Sequence, residues 1–144
     1  MTIVSRLLCA LGLASTVHAS EVALKEGDRW SYASRPGEEA FFLVIRKIEH
    51  IAKVGDVAHI SVFGVHIKNH AAPGGYSSEI AHLPIAAESL RKSVKQKLEK
   101  SAPQCDWQSG YKMWHEAEAG AFTEPVSECV KFVEETLARG RTKV

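Results

Sequence analysis

No charge of one sign dominates this 144-residue chain, in which 18 Lys and Arg face 17 Asp and Glu. Nucleic-acid binders draw most of their affinity from neutralising phosphates with a basic excess, so this balance argues against nucleic acid as a partner. Long apolar runs are missing too. The run at residues 7–13 falls far short of the ~20 residues that cross a bilayer core, and no later stretch approaches that length. Motifs for chemistry are equally scarce. Gly74-Gly75 belongs to neither of the glycine patterns that cradle phosphates. Ser77 and Ser78 lack the G-x-S-x-G elbow of a nucleophilic serine. His115-Glu116 opens an H-E-x-x-H pattern, but Ala119 takes the place of its second histidine. The carboxylate pair Glu134-Glu135 sits at neighbouring helical positions, which do not face one another. No cofactor is implied.

Cysteine is sparse, with three residues, and none forms C-x-x-C. Cys9 lies inside residues 1–19, which read as a secretory signal peptide: Arg6 precedes the apolar run, and Val17-His18-Ala19 offers the small-residue cleavage site. Residues 20–144 then form one α+β domain, neutral overall and long enough for a single core. Its expected location is periplasmic or secreted, and once processed it spans no membrane. In an oxidising compartment the remaining Cys105 and Cys129 are expected to form a disulfide. Closing a loop of about 25 residues would contribute roughly 3.5 kcal/mol on the chain-entropy model.

The domain is organised around residues 41–68, two apolar, β-branched runs broken at Lys53-Val54-Gly55-Asp56 and read as a long β-hairpin. Ala58, Ile60 and Val62 share one strand face while Phe63, Val65 and Ile67 share the other. A bulge near Val62-Phe63, or burial of both faces there, must accompany that switch. Before the hairpin, Trp30 and Tyr32 alternate on a short strand that ends in the Arg35-Pro36-Gly37 turn. After it, residues 69–83 read as a long irregular segment.

Pro84 then opens an expected helix over 84–100, because Leu83, Ala87, Leu90, Val94 and Leu98 recur at steps of three and four. A second helix over 106–119 carries Trp107, Tyr111 and Trp114 on one stripe, with Gly120 as its cap. Residues 121–123 read as a short strand on the hairpin's edge. A third helix after Pro125 buries Val126, Val130, Val133 and Leu137. The expected architecture is a three- or four-stranded antiparallel sheet, packed on one face by two or three helices, with one disulfide.

Candidate binding residues are Gly74, Gly75, Tyr76, Glu79 and His82 of the irregular segment, with Trp114 of the aromatic helix. His66, His70 and His82 are weak candidates for a metal site. His59 and His66 differ by an odd number, so an unbroken strand sends them to opposite faces. The blocks A-P-G-G-Y at 72–76, H-L-P-I at 82–85 with Ser93-Val94, and A-G-A-F-T at 119–123 resemble a recurring pattern in small exported bacterial proteins of unknown function. That resemblance implies one domain type and brings no activity with it. The favoured function is an exported module acting by protein contact, as an inhibitor or immunity-type partner. The alternatives are a small metal-dependent or hydrolytic enzyme using His66, His70, His82 and Glu79, and a small-ligand binder with its pocket between sheet and helices.

Overall fold

A computed structural model of the chain describes residues 22–139; the expected signal peptide, with Cys9, lies outside the described residues. The elements run β1 Arg29–Tyr32, β2 Phe42–Ile51, β3 Gly55–Lys68, β4 Tyr76–Ala86, α1 Ala87–Ser93, β5 Val94–Leu98, α2 Trp107–Glu116 and α3 Val126–Ala138. The strands form one five-stranded sheet in the order β4-β3-β2-β1-β5, with every neighbouring pair antiparallel. The fold is thus α+β, with more strands than the sequence indicates. Among the described residues no helix is long and apolar enough to cross a membrane.

The hairpin is β2 and β3, paired from Phe42 opposite Phe63 to Ile51 opposite Gly55 with one shift of register between Ile45 and Lys47. Both explanations for its parity switch hold at once. Every residue from 57 to 63 is buried, so both faces are covered there. Beyond them the register with β4 is irregular between Phe63 and Ile67, around Gly64. Gly64 has φ +87°, and a Cβ on it would meet the Phe41 backbone at 3.3 Å. That left-handed kink brings Val65 and Ile67 into the same core as Ile60 and Val62.

Two further bulges matter more. In β2, Ile45 pairs with Ile60 and Lys47 with His59, leaving Arg46 as the extra residue. In β4, Leu83 pairs with Ile60 and Ile80 with Val62, so Ala81 and His82 together oppose Ser61. Residues 76–83, expected to be irregular, belong to strand β4, and the bulge is what hides them. Ile80, Leu83 and Ile85 are all buried on one face, but the inserted residue breaks their alternation.

The expected helix over 84–100 is also corrected. Pro84 to Ala86 complete β4, seven residues form α1, and the chain returns to strand as β5 beside β1. The apolar spacing misled because Val94 and Leu98 lie four apart, an even step that fits a strand face as well as a helical stripe. Similarly Leu83, Ile85 and Ala87 alternate in twos.

The core face carries Leu43, Ile45, Ala58, Ile60, Val62, Leu83 and Ile85, covered by Leu90 of α1 with Val126 and Val130 of α3. Ser93 fixes α3 by accepting a hydrogen bond from the Val126 backbone N–H at 3.1 Å, which stands in for the cap that Pro125 cannot provide. Helix α2 packs against the opposite face, over His59. Helices therefore cover both faces of the sheet rather than one. Between α2 and α3 the chain passes the outer edge of β4, where Phe122 makes a parallel bridge to Ile85. Residues 121–123 thus pair with β4 rather than with the hairpin.

The expected disulfide is absent: Cys105 and Cys129 are both free. The two helices that carry or adjoin them lie on opposite faces of the sheet. Cys129 is buried in the core face, whereas Cys105 Sγ lies 3.2 Å from the hydroxyl of Ser61, which alternates to the other face. The expectation of export then rests on residues 1–19 alone.

Candidate functional site

Glu49, His59 and His82 come from three adjacent strands and form a continuous chain of hydrogen bonds. Glu49 Oε2 lies 2.8 Å from His59 Nε2, and His59 Nδ1 lies 2.9 Å from His82 Nε2. His59 is completely buried. Its ring lies nearly parallel to that of His82, at 16° with centroids 5.1 Å apart, and makes edge-to-face contacts with Tyr111 and Trp114 at 4.7 and 4.6 Å. Such edge-to-face contacts are favourable geometries for aromatic rings and hold the imidazole in one orientation.

Helix α2 supplies that aromatic cover, and its position is set by hydrogen bonds at its start. Asp106 caps it, accepting from the Ser109 backbone N–H at 3.1 Å. The bulged Arg46 donates to the Pro103 carbonyl at 2.6 Å and to the Ser61 hydroxyl at 2.9 Å, which ties the approach to α2 onto the sheet. At Gly110 the helix comes so close that a Cβ there would lie 2.8 Å from the His82 Cβ. After the helix, the Trp114 indole N–H donates to the Gly120 carbonyl at 2.8 Å.

Burial disfavours charging either ring. His82 is pushed down to about 4, first by loss of solvent and then by its neighbour His59. His59 is lowered by the same loss of solvent, although Glu49 partly opposes the shift. Both are neutral at pH 7, and the chain then fixes their tautomers. With Glu49 Oε2 as the acceptor of this contact, the His59 proton sits on Nε2 and Nδ1 is a bare lone pair. His82 must donate to it from Nε2. Its own Nδ1 is left as an unprotonated acceptor, with no hydrogen-bond partner among the described residues.

His82 also lines a cavity of about 530 Å³ between α2, α3 and the outer edge of β4. The walls are apolar, including Leu83, Trp114, Phe122, Val133 and Leu137, and among the described residues His82 is the only ionisable side chain that lines them. Met113 and Phe132 stand at the same cleft, 56% and 54% exposed. Thr136 also lines it, but its hydroxyl donates to the Phe132 carbonyl at 2.9 Å. The cleft therefore has the character of a binding cavity with one polar group rather than of a nucleophile paired to a base.

Of the residues singled out from sequence, His82 and Trp114 meet here. Gly74, Gly75 and Tyr76 lie at the far end of β4, where Pro73–Gly75 is a single 3-10 turn. Both glycines have positive φ there, and Tyr76 stacks on His66 with centroids 4.0 Å apart. Glu79 is exposed on β4 opposite Phe63. His70 is exposed in the turn. His66, His70 and His82 therefore do not converge, and no group of three potential ligands that could hold a metal ion occurs among the described residues. Sequence reasoning missed Glu49, Gly110 and the pairing of His59 with His82. A glycine within the aromatic helical stripe was the available signal for close packing at Gly110. No protein-family model, curated protein or solved structure matches the chain.

Proposed function

We propose that this chain is an exported binding protein for a small, mostly apolar molecule, held in the cleft between α2, α3 and β4. The observation that carries the reading is the cavity itself. Its volume of about 530 Å³ lies within the range of about 300–1,000 Å³ typical of small-molecule sites, which pair apolar walls with very few placed polar groups. The test is titration with the neutral fluorophore N-phenyl-1-naphthylamine. Saturable, one-to-one fluorescence enhancement is expected, and Val133→Trp, which fills the cleft, abolishes it while preserving the circular dichroism spectrum. Absence of saturable binding, or equal binding by a folded Val133→Trp variant, refutes the reading.

Contact with another protein is a second reading, favoured by the exposure of Met113 and Phe132 at the rim. On that reading Met113→Ser and Phe132→Ser weaken the partner's binding, measured by calorimetry, while Val133→Trp leaves it intact. Loss of partner binding in Val133→Trp with no effect of the rim variants would count against it.

A further inference from the structure

The ligand's polar group can be specified from the hydrogen-bond chain behind the cavity wall. We infer that the cleft selects a neutral ligand with an apolar body and a hydroxyl group, an aliphatic alcohol or a phenol, whose O–H donates to His82 Nδ1. This rests on the small-ligand reading above and adds the chemistry of recognition to it.

The hydrogen-bond chain runs outward from Glu49. Its carboxylate fixes the His59 proton on Nε2 at 2.8 Å, and His59 Nδ1 fixes the His82 proton on Nε2 at 2.9 Å. Reversing His82 would set two lone pairs against each other across that second contact, leaving a buried pair unsatisfied. The acceptor character of Nδ1 is thus imposed from two residues away. Second-layer groups fix the tautomer of a histidine in the same way wherever one ring nitrogen must face a ligand.

Charge on the ligand is disfavoured by what lines the cleft. Among the described residues that line it there is no Asp or Glu to hold an ammonium and no Lys or Arg to hold a carboxylate. A carboxylate would also place its oxygens against the His82 lone pair. A neutral hydroxyl satisfies Nδ1 and leaves the apolar walls to the rest of the molecule. An ether has the same oxygen but no proton to give.

Two isomers isolate that proton: 1-decanol and methyl nonyl ether, tested as competitors of bound N-phenyl-1-naphthylamine on the wild-type protein, with decanoate at pH 8 as a third probe. The alcohol is expected to compete about tenfold better than the ether, the effect of one hydrogen bond to a desolvated acceptor. Decanoate is expected to compete more weakly than the alcohol. In His82→Phe, which keeps an apolar wall without the acceptor, alcohol and ether become equal. Equal competition by the two isomers on the wild-type protein, or stronger competition by decanoate, overturns this inference and leaves the cavity reading standing. If the fluorophore itself fails to bind, both fall together.

Discussion

Replacing Gly110 by alanine separates this structure from any reading based on helix propensity. Gly110 lies inside α2, and Ala in an exposed helix interior is worth about 1 kcal/mol over Gly. Propensity alone therefore says that Gly110→Ala stabilises. The geometry says the opposite. The added Cβ would lie 2.8 Å from the His82 Cβ and 3.3 Å from its Cγ and Nδ1, against an optimum near 3.5–4.0 Å for carbon contacts. The closest atom is a Cβ fixed to a bulged strand rather than the tip of a flexible chain, so α2 must lift by the better part of an ångström. Overpacking of this kind costs about 1–3 kcal/mol. The lift also loosens Tyr111 and Trp114 from His59, adding lost aromatic contact. The net expectation is a loss of about 1–2 kcal/mol, or roughly 5 °C in Tm for a domain of this size, measured by thermal and urea unfolding. Gly120→Ala, whose Cβ meets nothing within 4 Å, is the control and is expected to change little. A Tm for Gly110→Ala at or above that of the wild type would refute the close approach of α2 to His82 and with it the floor of the cleft.

Three other outcomes are expected. Glu49→Leu leaves the buried His59 Nε2–H without its acceptor and lowers stability in urea by about 1–3 kcal/mol, whereas Glu49→Gln, which retains an acceptor oxygen, loses less; equal losses would argue against the hydrogen-bond chain. With both cysteines free, reductant leaves Tm unchanged, and alkylation at pH 8 labels the half-buried Cys105 before Cys129, whose thiol is buried and pushed up to about 12 by that burial and then by Glu124; a Tm drop on reduction would restore the disulfide. Acidification acts through the two imidazoles, whose environment contains Glu49, Lys47 and Tyr111. His82 is lowered from 6.5 to about 4 on folding, so the unfolded chain takes up protons first. Stability is therefore complete above about pH 6.5, falls as pH drops towards 4 and levels below that, by about 2–3 kcal/mol after allowing for partial solvent exposure. In His82→Gln that slope is shallower, and an unchanged slope on pH-dependent urea unfolding would contradict the assignment.

The hairpin, the first strand and the last two helices were legible because each carries an unbroken stretch of one period: twos through Trp30-Tyr32 and Ala58-Ile60-Val62, threes and fours through Tyr111-Trp114 and Val126-Val130-Val133. The site was not, and the reason is the same device in two places. Leu43 and Ile45 face the core, as do Ile48 and Ala58 opposite it, yet Ile45 and Ile48 are an odd step apart. Arg46, the extra residue between them, reverses the phase and turns Glu49 to the face that bears His59. In β4, Ile80 and Leu83 are again core residues an odd step apart, with the bulge between them. Counted in twos from Ile80, His82 would enter the core beside it. Counted from Leu83, after the bulge, it lands on the His59 face. Neither bulge carries a glycine or another residue that marks it in sequence, so histidines 23 positions apart in different strands gave no local pattern to read. The odd spacing of apolar residues is the only trace, and within the Gly-, Ser- and Pro-rich stretch at residues 69–83 it does not resemble a strand. The bulges that hid β4 from the sequence are thus what assemble the Glu49-His59-His82 chain.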